Sequence, residues 1–433
     1  MPESKRNSTT EITNSVTIKY IDTSKQDTII ENISEIKEDT LPGNGKSSNL
    51  FTENVKLSIK EVIIGNGVTI IGYRAFYSYR NLKTVSIPDS VTTIGNDAFN
   101  GCVSLETVSI PNSVTSIGNE AFSRCSSLET VSIGNSVESI GQQAFSLCSS
   151  LKTVSIPDSV TTIGNGAFKS CSSLKTVSIP DSVTTIGNEA FSNSVLENVN
   201  IPNSVTTIGN YTFENCSKLK TVIIGNGIEN IKLGAFYRCT NLETVYLGNN
   251  VSNIYSKAFQ YCSNLKTIFI PDSVTLIGSS VFRDSGLNTV YLTANNNLDS
   301  DNDGKKDITK AGEYTIGDKN VNVVLDNIII INNDNSVQEI ILNEDDSGVL
   351  GDITSYKDTN NNVIVKDNIK RVFILNGVNT ISTRAFDNCT KLENIIIDNS
   401  VNTIGDHAFY NCSSLKSVSI PEGVTKIDIH TFQ

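Results

Sequence analysis

At residues 151–173 the chain reads LKTVSIPDSVTTIGNGAFKSCSS, and almost the same 23 residues begin again at Leu174. Similar units recur from Ile59 to Leu287, stop, and resume at Ile369. Most steps between units are 23 residues long, and two steps are 22. Self-similarity at a fixed period of this length is typical of a solenoid, in which each unit packs only on its neighbours.

The unit itself predicts a short strand followed by turns. Val154 and Ile156 alternate with polar residues, as in a strand with one buried face. Pro157 ends this strand because proline cannot donate to a sheet ladder. Gly164 suits a tight bend, and the Ala-Phe pair after it brings a small and a large apolar residue inward.

One phenylalanine recurs in each complete unit, which predicts a continuous stacked core that no single unit could bury alone. The predicted core residues are Phe76, Phe99, Phe122, Phe145, Phe168, Phe191, Phe213, Phe236, Phe259, Phe282, Phe386 and Phe409.

The consensus LxxVxIPxxVxxIGxxAFxxCxx resembles the BspA-like, Treponema pallidum-type leucine-rich repeat, over roughly residues 59–292 and 369–433. The resemblance implies an α/β-type solenoid dominated by β structure, curved and right-handed, with a parallel sheet on its concave face. It also implies a surface or secreted protein that adheres to a protein ligand through that concave face.

The repeats divide the chain into four regions. Residues 1–55 are polar and are expected to hold a degenerate cap, residues 56–292 and 369–433 are repeats, and residues 293–368 form a small β-rich island that interrupts them. The last unit stops right after its phenylalanine, so we expect a shortened or partner-covered C-terminus.

Composition and charge exclude several function classes. The net charge of −12 and the lack of a basic patch argue against nucleic acid as a partner. No run of 18 apolar residues predicts a membrane-spanning helix, and the N-terminal residues lack the apolar core of a signal peptide. No paired carboxylates or catalytic triad spacing is discernible, so an enzyme is not expected.

All nine cysteines fall in one column of the repeat, from Cys102 to Cys412. Their number is odd and no CxxC spacing occurs, so we interpret them as buried packing residues and not as disulfides or metal ligands. The only two histidines, His407 and His430, are too few to predict a histidine-based metal site.

One column of the strand changes from small polar to large apolar side chains. Its large members are Ile223, Tyr246, Phe269, Tyr291, Phe373 and Ile396. If they are exposed, they form an apolar patch that would bind a protein partner. The alternatives are that the interruption folds back and covers them, or that the repeat has simply drifted.

The interruption contains LDSDNDGKKD, which resembles the calcium loop of dockerin and thrombospondin type-3 repeats. Alternating carboxylates and one backbone carbonyl would surround a hard cation with oxygen. The predicted calcium ligands are Asp299, Asp301, Asp303, Lys305 through its carbonyl, and Asp307. The alternative is a polar turn without an ion.

Two other roles remain open at this point. The first is an intracellular or virion scaffold built from the same repeats. The second is an ice-binding surface made from the columns of threonine and serine that begin at Thr84 and Ser86.

Overall fold

The computed structural model describes residues 15–20, 28–30, 35–36, 56–292, 312–316, 319–325, 328–332, 337–340, 349–358, 361–374, 378–398, 400–415, 417–418, 420–421 and 423–432. The chain divides into two compact units. The first comprises Met1–Val245, Ile254–Leu265 and Gly278–Gly286, and the second comprises Tyr246–Asn253, Lys266–Ile277 and Leu287–Gln433. Both are built from turns of a β-solenoid, about 13 in all. The predicted solenoid with parallel sheets is therefore confirmed.

The first unit carries two sheets of eight strands, and each repeat turn from Ile59 to Ile186 contributes one strand to each of them. The longer strands are Val16–Tyr20, Thr28–Ile30, Ile59–Ile64, Thr84–Ser86, Thr107–Ser109, Thr130–Ser132, Thr153–Ser155 and Thr176–Ser178. The shorter strands are Glu35–Ile36, Ile70–Ile71, Thr93–Ile94, Ser116–Ile117, Ser139–Ile140, Thr162–Ile163, Thr185–Ile186 and Thr207–Ile208. Further strands are Asn198–Ile201, Thr221–Ile224 and Asn230–Ile231, and Thr244–Tyr246 and Asn253–Ile254 lie where the units divide.

The strands of the second unit fall into two groups. Those before and inside the interruption are Thr267–Phe269, Leu276–Ile277, Thr289–Leu292, Gly312–Ile316, Lys319–Leu325, Ile328–Asn332, Val337–Ile340 and Val349–Leu350. Those after it are Ile369–Ile374, Thr380–Ile381, Asn394–Ile397, Thr403–Ile404, Ser417–Val418 and Lys426–Ile427. Helix is nearly absent from the described residues, where short 3-10 turns occur at Ile353–Ser355 and Lys366–Asn368.

The 23-residue period of the sequence sets the register of the parallel sheets, because residues 23 apart pair with each other. Thr130 lies opposite Thr107 on one side and Thr153 on the other, so equivalent residues stack along each column. A 22-residue step keeps the same alignment, since Thr185 lies opposite Thr207. Each apolar column therefore forms a continuous core, because parallel pairing places identical positions side by side.

The phenylalanines predicted for the core are buried, and their rings stack from turn to turn. Along the first unit, from Phe76 to Phe282, neighbouring ring centroids lie between 4.9 and 5.8 Å apart with nearly parallel planes. Phe386, Phe409 and Phe432 continue the pattern in the second unit. Every ring thus has aromatic neighbours, which adds to the stabilisation from burial alone.

All nine cysteines are free and buried. Within the described part of the chain, eight of the nine thiols, all except Cys389, donate to a backbone carbonyl of the preceding turn, as when Cys148 donates from Sγ to the Phe122 oxygen at 3.2 Å. Ser194 and Ser285 occupy this column in the two 22-residue units and are buried as well. In these turns the column takes a small side chain that can donate one hydrogen bond, whereas Tyr79 fills it in the first turn.

Glycine is required where successive turns approach most closely. A Cβ on Gly141 would lie 2.6 Å from the carbonyl carbon of Gly118 and 2.7 Å from the Ile117 oxygen. Both neighbours are backbone atoms and cannot move aside without separating the turns.

We expect Gly141→Ala to lower the free energy of unfolding by about 1–3 kcal/mol, because the added methyl group overpacks this contact. The measurement is urea unfolding followed by circular dichroism. Gly351→Ala is the control, since its Cβ would meet nothing closer than the Tyr356 hydroxyl at 3.4 Å. Equal stability of Gly141→Ala and the unmodified chain would contradict the close approach.

An antiparallel hairpin begins the first unit. Val16–Tyr20 pairs antiparallel with Thr28–Ile30 and with the first repeat strand, Ile59–Ile64. Glu35–Ile36 then pairs in parallel with Ile70–Ile71 of the other sheet. The hairpin covers the first edge of the longer-strand sheet, as a capping unit must.

The interruption repeats this capping arrangement within the second unit. Ile328–Asn332 pairs antiparallel with Val337–Ile340 and with Ile369–Ile374, and Val349–Leu350 pairs in parallel with Thr380–Ile381. The strands that follow the two caps begin alike, with IKEVII at residue 59 and IKRVFI at residue 369. The interruption therefore contains the starting cap of a second repeat array.

The preceding array ends inside the same interruption. Lys319–Leu325 pairs in parallel with Thr289–Leu292 and antiparallel with Gly312–Ile316. The β-rich island thus extends the sheets of the repeats at both of its ends. The four sequence-based region boundaries stay a prediction.

Candidate functional site

The side chains predicted to form an exposed apolar patch are largely buried. Tyr246, Phe269, Tyr291 and Phe373 are between 3% and 6% exposed. Ile223 and Ile396 are half-buried. The expected open patch is therefore wrong as a description of these four aromatic residues.

The physical reason is that members of the patch cover one another within the second unit. The Phe373 ring lies 5.7 Å from the Tyr246 ring and 6.1 Å from the Phe269 ring. Burial also raises the pKa of Tyr246 to about 12. Phe373 belongs to the strand Ile369–Ile374, which follows the interruption, so a repeat strand covers these aromatics, whereas the alternative had expected the interruption itself to cover them.

The predicted calcium ligands, from Asp299 to Asp307, lie outside the described residues. Calcium binding stays a prediction of the sequence.

The charged column beside the longer strands is self-neutralising. Lys83 contacts Glu106 at 3.2 Å and Lys152 contacts Glu129 at 2.7 Å, each pair bridging adjacent turns. All four side chains are more than half exposed, so each pair contributes little to stability. From Lys83 to Lys266 this column holds five lysines and four glutamates, so its small net charge gives little basis for selecting a partner.

A different exposed surface is built by the turns between the glycine and cysteine columns. We name Tyr211, Tyr237, Arg238 and Tyr261 the tyrosine–arginine ridge. The Tyr237 ring lies edge-on to Tyr211 at 6.3 Å and to Tyr261 at 5.5 Å. The Arg238 guanidinium lies 5.3 Å from the Tyr237 ring and 5.5 Å from the Tyr261 ring.

Backbone conformation positions this ridge. Tyr211, Arg238 and Tyr261 all have positive φ, the left-handed conformation that recurs twice in each turn. Gly234, with φ of +59°, lies beneath the Tyr211 ring, and a Cβ there would be 2.3 Å from Tyr211 Cε1. Glycine at this column therefore makes room for the ring.

The ridge is basic on an acidic chain. Lys232 lies 5.3 Å from the exposed Tyr255 ring on the same turns, and Lys257 and Arg283 are exposed nearby in sequence. The column of Tyr211 carries Asp97, Glu120 and Glu189 in three earlier turns and Arg74 in the first turn. Around Tyr237 the surface of the turns is rich in tyrosine and basic residues.

Sequence analysis missed the ridge because its members occupy several columns. The available signal was that three tyrosines, Tyr211, Tyr237 and Tyr261, occur in successive turns at exposed columns whose earlier members are mostly polar. Tyrosine and arginine are the residue types that dominate binding energy at protein interfaces, together with tryptophan.

The family model for the BspA type leucine rich repeat region matches six times, over residues 45–174, 184–301 and 357–433. Comparison with curated proteins gave no match. Among the described residues, no helix is long and apolar enough to cross a membrane.

Several solved structures are similar to the chain. A leucine-rich repeat protein from Bacteroides ovatus is 23% identical, with 94% of this chain and 86% of that chain covered and a TM-score of 0.47. A leucine rich cell surface protein from Faecalibacterium prausnitzii is 25% identical, with 97% and 95% covered and a TM-score of 0.41. The leucine-rich repeat protein of T. pallidum is 30% identical, with 48% and 83% covered and a TM-score of 0.32.

Proposed function

Because this chain belongs to the BspA-type leucine-rich repeat family, we propose that it is a non-enzymatic binding protein whose tyrosine–arginine ridge engages an acidic segment of a partner protein. The observation that carries the proposal is the Arg238 guanidinium over the Tyr237 and Tyr261 rings, where Arg238 and Tyr261 are exposed and Tyr237 is half-buried.

The chemistry of the ridge favours carboxylates. Arg238 is exposed, and a guanidinium stacked on aromatic rings still has its in-plane donors for a bidentate carboxylate contact. Lys232 and Lys257 add positive charge on a chain whose net charge is −12, whereas Asp284 offsets the charge of Arg283 at 3.6 Å. An acidic partner would be attracted to this surface and repelled by most of the remaining surface.

The rigidity of the ridge also supports the proposal. Backbone hydrogen bonds join its turns, as when Arg238 donates from its N–H to the Gln260 oxygen at 2.9 Å. Rings held in this way lose little conformational entropy when a partner binds. In this proposal the protein is an adhesive surface protein, whereas a partner confined to the cell interior or to a virus particle would favour the scaffold alternative.

The test is site-specific photocrosslinking followed by affinity measurement. A photoreactive benzoylphenylalanine in place of Tyr261 is expected to capture the partner, and the same group in place of Leu147 is not. Leu147 is the matched control because it is exposed and occupies the same column of an earlier turn. Equal capture at both positions would reject the ridge as the binding surface.

We expect Tyr237→Ala and Arg238→Ala each to weaken binding of the purified captured partner by about 30-fold, the effect of losing an interface hot spot of about 2 kcal/mol. Leu147→Ala should leave the affinity unchanged. Affinity should also fall as salt rises, because the attraction is partly electrostatic. Isothermal titration calorimetry measures both effects, and full affinity in the two ridge variants would contradict the proposal.

A further inference from the structure

The two histidines of the chain lie together in the second unit, on successive turns. The rings of His407 and His430 have centroids 5.0 Å apart. Asp406 Oδ1 lies 2.8 Å from His407 Nδ1 and 4.0 Å from His430 Nδ1. These three donor atoms all lie within 4.8 Å of one another.

The contact between Asp406 and His407 is not an ordinary hydrogen bond. Despite their separation of 2.8 Å, Asp406 Oδ1 and His407 Nδ1 are not aligned as donor and acceptor. Both atoms are buried from solvent, and neither has a hydrogen-bond partner. A buried carboxylate oxygen and a buried imidazole nitrogen without aligned partners are costly, and a shared cation would satisfy both.

The position of Asp406 in the repeat strengthens this reading. At the equivalent column of earlier turns, asparagine accepts a hydrogen bond from the backbone of the next turn, as Asn96 Oδ1 does from Asn119 N at 2.8 Å. Asp406 Oδ1 makes no such bond and lies against His407. This column carries Leu233, Ser256, Ser279 and Thr383 in the intervening turns, and it carries a carboxylate at Asp406, beside the two imidazoles.

The backbone holds the two turns in place for such a site. His407 and His430 both have positive φ, at equivalent positions of their turns. Phe409 donates from its N–H to the Thr431 oxygen at 2.8 Å, and the Phe409 and Phe432 rings stack beneath. Hydrogen bonds and ring stacking between the two turns therefore fix the positions from which the two imidazoles extend.

We propose that Asp406, His407 and His430 form a zinc site that links these two turns. Two imidazole nitrogens and one carboxylate oxygen are a known zinc ligand set, with a fourth position left to water. Tetrahedral bonds of about 2.0–2.1 Å place donors about 3.3 Å apart, between the two distances seen here. Rotation of the exposed His430 ring shortens the 4.0 Å distance from His430 Nδ1 to Asp406 Oδ1. The water reaches the fourth position from the exposed side of the site.

The experiment uses the full chain without a histidine tag, reduced and stripped of metal, titrated with zinc chloride by calorimetry. We expect one zinc ion to bind with micromolar affinity. His407→Asn and His430→Asn should each lower the affinity at least 100-fold, while asparagine tolerates the left-handed backbone. Asp284→Asn, which removes an exposed acid at a positive φ elsewhere, is the control and should change nothing.

The visible absorption spectrum of bound cobalt identifies the ligand atoms, and a loss of folding does not produce the same spectral change. Cobalt bound by the unmodified chain should show tetrahedral visible bands without a thiolate charge-transfer band. His430→Cys should bind cobalt, unlike His430→Asn, and should introduce that thiolate band, because cysteine is also a zinc ligand. A thiolate band in the unmodified chain, or unchanged zinc affinity in both histidine variants, would overturn the site.

Discussion

Replacing Phe168 with alanine is expected to lower the free energy of unfolding by about 3–5 kcal/mol. Phe168 is fully buried, and its ring stacks on Phe145 at 5.4 Å and on Phe191 at 5.5 Å. Removal of the ring leaves a cavity between two aromatic neighbours that the stacked backbone cannot collapse to fill. The loss should spread to adjacent turns, because each turn of a solenoid is stabilised by its neighbours.

The measurement is chemical unfolding combined with hydrogen exchange resolved along the chain, since a repeat array need not unfold in one step. Exchange should accelerate most around residues 145–191. Phe432→Ala is the matched control, because Phe432 occupies the same column but is 42% exposed. A loss below about 1 kcal/mol for Phe168→Ala would show that the column contributes much less than buried aromatics usually do.

Alkaline pH is expected to destabilise the protein steeply through its buried thiols. Burial raises the pKa of Cys102 and of Cys171 to about 12, and it raises the pKa of Cys125 and of Cys148 as well. In the unfolded chain a thiol ionises near pH 8.5. Above that pH the unfolded chain releases protons that the folded chain retains, so stability falls as pH rises.

The magnitude follows from the number of thiols. Each retained proton costs about 1.4 kcal/mol of stability per pH unit, so these four thiols together cost on the order of 5 kcal/mol per unit. The loss begins near pH 8.5 and continues toward the raised pKa of the folded thiols. Below about pH 8 these thiols are protonated in both the folded and the unfolded chain, so they contribute no pH dependence to the free energy of unfolding.

Urea unfolding from pH 7 to pH 10.5, with a reductant present, measures this dependence. Cys148→Ser is the matched variant, since serine can still donate to the Phe122 carbonyl but does not ionise in this range. Ser194 shows that the column accommodates serine. The variant should lose less stability per pH unit by the contribution of one proton, and an identical slope in both proteins would rule out thiol ionisation as the cause.

The phenylalanine and cysteine columns were predictable from sequence because each is repeated in nearly every unit. Repetition at a constant spacing identifies the buried positions, and parallel pairing converts that spacing directly into contact. The strand around Val154 and the bend at Gly164 follow from the same pattern. Neither depends on anything beyond the neighbouring turn.

The caps were only partly predictable. Strands were expected inside the interruption, but their sequences do not repeat the consensus. The likeness between the strands that begin at Ile59 and Ile369 was visible in the sequence. The structure shows that both strands pair antiparallel with a hairpin, so the likeness marks the first repeat strand after a cap.

By itself, the sequence determined the solenoid, its register, its aromatic core and its free thiols, because these depend on contacts between one turn and the next. Only the tertiary structure decided which side chains outside the repeated columns are exposed and which lie close together. It buried Tyr246 and Phe269 under Phe373, more than 100 residues later in the chain. It also joined Tyr237, Arg238 and Tyr261 into one ridge, and it brought His430 to His407 and Asp406. Such contacts involve residues that do not repeat from turn to turn, so the repeat pattern does not show which of them become neighbours.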